Sequence, residues 1–261
     1  MAVSSEHRTL RVLQISDTHL HAAADSRMRG VTTYATLKQV LDHAQRDRRW
    51  PADLVLATGD IVQDESRAGY ELFRSALEPA GVPVISIPGN HDDPNLMAEI
   101  LSGGPFQFGG EARRGPWSLV CLSTFLAGED AGGLGHARLN GLRKALAAHA
   151  GQHVLVAMHH HPLPMGSSWL DGVGLRDAAA FWDVIEEHEN VRAVVCGHVH
   201  QQNERLHNGV LFASTPSTCA QFLPNSEFFA LDERPPAARW LELHPDGRVE
   251  TEVTWARGSR S

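Results

Sequence analysis

The chain has 261 residues, 42% of them hydrophobic, and a formal net charge of −8, which is enough for a substantial core. Its Lys and Arg residues are scattered rather than gathered in a stripe, which excludes a backbone-tracking nucleic-acid binder. No apolar run approaches the roughly 20 residues of a membrane span, and residues 1–8 lack an apolar signal segment, so a cytoplasmic protein with no membrane partner is expected.

Leu10–Ile15 is the first predicted strand, and Ser16-Asp17-Thr18-His19 follows it directly. Helical spacing over 34–45 leads to a second strand, Leu54–Ala57, which exits into Thr58-Gly59-Asp60. Asp64-Glu65-Ser66 predicts the start of a helix over 66–77, and Gly81 predicts its stop. A third strand over 82–87 runs into Gly89-Asn90-His91-Asp92. Pro94 suits the first turn of a helix over 95–101, with Asp92 a candidate cap.

Further strands are predicted over 119–122, 154–158, 193–196 and 210–213, with helices over 139–148 and 177–187. Two of these strands exit into histidines, at His159-His160-His161 and at Gly197-His198-Val199-His200. Beyond Val210 the runs 228–231, 240–243 and Val249–Trp255 succeed one another with only loops between, which predicts antiparallel pairing. Alternating and consecutive strands together predict two sheets packed face to face with helices outside. The whole chain reads as one domain, with 1–8 and 257–261 as frayed ends.

Cys121, Cys196 and Cys219 have no C-x-x-C spacing and suit reduced thiols, the first two as small core residues. Histidine is the unusual residue, with 16 in the chain. Each motif alone is weak, since a Gly-Asp pair is commonly a turn and two loop histidines are commonly solvated. Five of them at strand exits converge on one sheet edge, where α/β proteins gather ligands.

In an extended segment residues i and i+2 point to the same side. Asp17 and His19 are therefore expected to face one cation, and His198 with His200 to flank a pair. Gly59, Gly89 and Gly197 allow tight turns. Carboxylate, imidazole and amide oxygen together suit Mn, Fe or Zn. Trp169 and Phe222 are candidates for stacking on a purine, although aromatic residues more often serve packing. His21 is read as an exposed loop residue.

These residues make the chain resemble the calcineurin-like metallophosphoesterases, whose signature is D-x-H, G-D, G-N-H-[DE], a later His and G-H-x-H. The long stretches 159–164, 168–171, 196–201, 214–222 and 241–247 resemble the bacterial class III 3′,5′-cyclic-AMP phosphodiesterases most. The resemblance implies a four-layer αββα sandwich and two metal ions, Fe or Mn foremost and Zn next, bridged by Asp60. Asp17, His19 and His200 would complete one site, and Asn90, His159 and His198 the other.

It implies hydrolysis of 3′,5′-cyclic AMP to 5′-AMP by a water activated between the metals. His19, Asp60, Asn90, His91 and His200 would lie against the nucleotide. His91 is the candidate proton donor and Asp92 the candidate group that orients it, while His160 and His161 are expected outside the ligand set. A homodimer is a further expectation. Other diesters, namely 2′,3′-cyclic nucleotides and glycerophosphodiesters, or phosphomonoesters, are the alternative substrates. A non-catalytic scaffold would have lost ligands, whereas all seven stand here. The chain departs from the family at Ser123-Thr124, where an Asp is common, and at Gly141, where a Trp is common.

Overall fold

The structure, a computed structural model, describes residues 8–256. The termini expected to fray, 1–7 and 257–261, lie outside the described residues, while Arg8 is described and pairs with Asp53.

Two six-stranded sheets carry the fold. In the first, Leu10–Ile15 is central, flanked in parallel by Leu54–Ala57, Val84–Ser86 and Phe106–Phe108. On its other side Ala237–Leu243 and Val249–Trp255 pair antiparallel. In the second, Val191–Cys196 lies in parallel between His153–Ala157 and Val210–Ser214. Trp117–Cys121 extends that sheet in parallel, and Gly110–Arg114 and Asn203–His207 close its two edges antiparallel.

The period-two alternation of the central strands builds three apolar layers. Val12, Leu54, Leu56, Leu155 and Val195 point into the space between the sheets, where they meet Trp117 and Leu241. Their neighbours Leu13, Ile15, Val55 and Ala57 point outward beneath the helices Thr33–Gln45 and Arg67–Leu77. Val154, Val156 and Val194 point outward on the other sheet, beneath Gly135–Ala148 and Ala178–Glu186. Strands buried on both faces read as continuous apolar runs, and the result is the expected four-layer αββα sandwich.

In the C-terminal third the runs 240–243 and Val249–Trp255 pair antiparallel as expected, and the rest departs from expectation. Val210–Ser214 stays in the second sheet beside Val191–Cys196, and the chain then crosses to the first sheet. The aromatic run 228–231 does not form a strand of either main sheet: Leu231–Asp232 pairs only with Gln221–Phe222. Gln14, fully buried, stitches the sheets together by donating to Thr58 Oγ1 and to the Cys196 carbonyl, each at 3.1 Å. Both sheets thus present their carboxyl edges to one place.

Candidate metal centre

The strand exits are zipped together by backbone bonds. Asp17 N–H donates to Gly59 O at 3.0 Å, His19 N–H to Asp60 O at 3.0 Å and Leu20 N–H to Ile61 O at 2.9 Å. At the edge of the second sheet, Gly197 N–H donates to His159 O at 3.1 Å. This scaffold holds five of the candidate ligands in an unusual backbone state. Asp17, His19, Asp60, His198 and His200 have φ of 54°, 44°, 48°, 68° and 48°.

A residue with a Cβ in that region costs on the order of 1–2 kcal/mol, and such strain collects at functional sites. Asp17 and His19, and likewise His198 and His200, therefore reach one side through left-handed turns, not through the extended backbone expected from their spacing. All three glycines supply space: a Cβ would stand 2.5 Å from His159 Nδ1 at Gly59, 2.1 Å from Asp60 Oδ1 at Gly89 and 1.9 Å from Ser16 Oγ at Gly197, and Gly59 supplies a φ of 94° as well.

The seven side chains converge. His200 Nε2 lies 3.4 Å from Asp17 Oδ1 and 3.0 Å from His19 Nε2. Asp60 Oδ2 lies 3.8 Å from His19 Nε2 and 3.5 Å from His159 Nε2. His159 Nε2 is also 3.1 Å from Asn90 Oδ1 and 3.2 Å from His198 Nδ1. Donor atoms of Asp17, His19 and His200 fall within 4.8 Å of one another, as do those of Asp17, Asp60 and His159, and those of His159, His160 and His198.

The ring orientations are fixed from behind. His159 Nδ1 bonds Thr58 O at 2.7 Å and His200 Nδ1 bonds Ala220 O at 2.7 Å, so Nε2 of each faces the cluster. Two buried carboxylates and four converging imidazole nitrogens are reconciled by cations or by protons. The donor set fits divalent metals of the Mn, Fe and Zn kind.

Electrostatics follow from burial. Burial alone would raise the Asp60 carboxyl, but His159 and His19 outweigh it and hold it well below the ordinary carboxylate range. Burial likewise opposes ionisation of Asp17, and His200 reverses it to a net lowering. His159 resists burial because Asp60 faces it, and is raised to about 9. Burial drives His19 down to about 3 and His198 well below its ordinary value.

Both ring nitrogens of His160 have partners, Nδ1 with Thr124 Oγ1 at 2.7 Å and Nε2 with Asp130 O at 3.1 Å, although one of them also lies within 4.8 Å of the donor atoms of His159 and His198. Its ring packs against those of His159 and His198, at 4.8 and 4.6 Å. His161 stacks on His198 at 5.7 Å, with Asp171 3.8 Å away. Thr124, one of the departures from the family pattern, is thus the residue that pins His160.

His91 lies at the cavity wall, its N–H donating to Asp60 Oδ1 at 2.9 Å. The expectation for Asp92 needs correction. Its carboxylate accepts from Ile61, Val62 and Gly89 N–H and from Tyr70 O–H, and makes no bond to His91. Burial, then the charge of Asp60, push it up to about 7. Nor does it cap the helix Pro94–Ile100: Asp93 does, accepting from Asn95 N–H at 2.8 Å. The partner of His91 is Gln63, whose Nε2 lies 3.2 Å from His91 Nδ1. Its place three residues after Asp60 was the only sequence signal for it.

A cavity of about 320 Å³ opens over the cluster, lined by His19, Asp60, Asn90, His91, His198 and His200 and walled by Trp169, Phe222 and Phe229. That is within the ~300–1,000 Å³ typical of small-molecule sites.

Residues 10–202 match the model of the calcineurin-like phosphoesterase family. Relatives named 3′,5′-cyclic adenosine monophosphate phosphodiesterase CpdA include that of Haemophilus influenzae, 38% identical over 95% of this chain and 91% of the relative. That of Escherichia coli is 39% identical over 94% and 89%. A crystal structure of a dimetal phosphatase from Danio rerio shares the fold with a TM-score of 0.64 at 17% identity, over 95% of this chain and 99% of that one. The chain belongs to the calcineurin-like phosphoesterase family.

Proposed function

We propose that this chain hydrolyses 3′,5′-cyclic AMP to 5′-AMP at a centre of two divalent cations, Fe(II) or Mn(II) foremost and Zn(II) next. The observation that carries the reading is the convergence, from two sheets, of Asp17, His19 and His200 on one side of Asp60 and of Asn90, His159 and His198 on the other. The substrate is taken from the relatives named for that reaction, which align over nearly the whole chain.

Bound metals would supply Lewis acidity, activating water and offsetting the charge of the phosphate. The side chains divide the remaining work. Asp60 turns a single oxygen, Oδ2, toward both halves of the cluster while Oδ1 accepts from His91 N–H, and its deep burial keeps solvent from competing for it. His19, Asp60, Asn90, His91 and His200 all line the cavity and would border the phosphate. Asn90 and His91 have hydrogen-bond donors for its free oxygens. His91, tied at Nδ1 by Gln63, keeps Nε2 to protonate the departing O3′, which leaves the phosphate on the 5′ oxygen.

Three buried free thiols support a reducing compartment, and no helix among the described residues is long and apolar enough to cross a membrane. We place the enzyme in the cytoplasm.

The test is a product analysis by chromatography after incubating Mn-loaded enzyme with cyclic AMP, cyclic GMP, 2′,3′-cyclic AMP and glycerophosphocholine. Conversion of cyclic AMP to 5′-AMP, at a kcat/KM above the 2′,3′ isomer and the glycerophosphodiester, is the expected outcome. Cleavage of the others with cyclic AMP untouched would overturn the substrate and leave the diesterase chemistry standing.

A further inference from the structure

Arg27–Met28 and Val31–Thr32 form a short hairpin in which Met28 pairs with Val31. Its turn is Arg29-Gly30, with φ of 52° and 88°. A two-residue turn with positive φ at both positions favours Asn, Asp or Gly at the first. Arg29 is none of these, and its backbone sits where a side chain is disfavoured. Such a residue choice at a cavity mouth calls for a reason outside the turn.

The side chain supplies one. Its guanidinium carbon lies 4.6 Å from the centroid of the Phe229 ring, and both residues line the cavity that holds Asp60, Asn90 and His91. Arg29 is in none of the ion pairs found among the described residues.

Phe229 meets Trp169 and Phe222 edge to face, each at 5.3 Å. Phe222 lies flat on His200, with centroids 3.9 Å apart and planes 6° apart. An aromatic wall therefore leads from His200, through Phe222 and then Phe229, to the Arg29 guanidinium. One face of Phe222 is already taken by His200, so it is less suited to hold a purine than its place in the sequence suggested. The contact path from His200 to Arg29 runs through two rings, Phe222 and Phe229, so Arg29 does not touch the cluster through this wall.

We infer that Arg29 and Phe229 form the nucleobase subsite, the guanidinium lying flat between the Phe229 ring and the purine of the cyclic nucleotide. A planar delocalised cation is attracted to the π face on either side of it. The inference rests on the cyclic-nucleotide reading above.

The Arg29→Asn variant tests it without endangering the hairpin, because Asn suits this turn position; its melting temperature should not fall. KM for cyclic AMP should rise about tenfold, the effect of one cation–π contact, with kcat within about twofold. Turnover of methyl 4-nitrophenyl phosphate, a diester with no base, should be unchanged. Arg29→Lys should recover little, since an ammonium has no flat face.

An unchanged KM for cyclic AMP in Arg29→Asn, or an equal loss on both substrates, overturns the subsite. Wild-type enzyme that cleaves the small diester but not cyclic AMP overturns the substrate reading, and the subsite with it. The two failures are therefore told apart by the wild-type control.

Discussion

Gln63 Nε2 stands 3.2 Å from His91 Nδ1, while the backbone N–H of the same histidine donates to Asp60. An amide N–H pointed at Nδ1 makes that nitrogen the acceptor, so a neutral imidazole carries its proton on Nε2. Gln63 would therefore act as a positioning residue for His91, the proposed proton donor. His91→Ala should lose on the order of 10²–10⁴ in kcat with cyclic AMP, and Gln63→Ala a smaller share, about tenfold. Neither should change the metal content measured by plasma mass spectrometry. Full kcat in Gln63→Ala would refute the positioning role.

Asp92 and Asp93 are adjacent and serve different ends, which urea denaturation of two variants can separate. Asp93→Ala removes a helix cap, costing about 1 kcal/mol, and should leave kcat alone. Asp92→Ala strands three buried N–H groups and takes from the Tyr70 hydroxyl its 3.1 Å acceptor, and should cost about 2–4 kcal/mol. Equal costs would contradict the assignment.

Thr124 matters through His160. Thr124→Val keeps the shape and removes the hydroxyl that holds Nδ1, so His160 should loosen against the rings of His159 and His198. Groups that brace metal ligands commonly contribute 10–100-fold to affinity. Since His160 braces by packing rather than by a direct bond, Mn affinity by equilibrium dialysis should fall about tenfold, with His160→Ala falling at least as far. Unaltered affinity in both would make the contact incidental.

Metal uptake should expel protons. In the metal-free protein Asp60 is ionised and holds His159 protonated, its pKa raised to about 9. A cation taking the His159 Nε2 lone pair must displace that proton, so binding is favoured as pH rises toward 9 and weakened below it. Calorimetry of Mn binding in buffers of different ionisation enthalpy near pH 7.5 should show release of about one proton per chain from this group. No release would mean that His159 is already neutral.

Much of the fold was legible because its central strands are buried on both faces. Leu54–Ala57 is apolar at every position and every position is buried. The helix start at Ser66 was legible too, and its side chain accepts from Gly69 N–H. Edge strands were not: Asn203–His207 and Gly110–Arg114 are polar because one side meets solvent.

The aromatic run 228–231 misled for the opposite reason. Its apolar character belongs to a cavity wall and an exposed surface, with Phe228 at 73% exposure. The convergence of the candidate ligands could be read because Asp, Asn and His at strand exits have few structural uses. The left-handed backbone that aims those residues could not, since His and Asp give no local sign of positive φ. Gln63 and Arg29 were hidden because a glutamine after a turn and an arginine in a hairpin are ordinary on a surface.

The central claim is that Asp60 is shared between two cations, and metal stoichiometry tests it most directly. Mn per chain should be two in the wild-type protein after equilibrium dialysis at saturating Mn and one or fewer in Asp60→Asn. A wild-type chain that binds no metal, or an Asp60→Asn variant that still holds a full pair, would contradict the account.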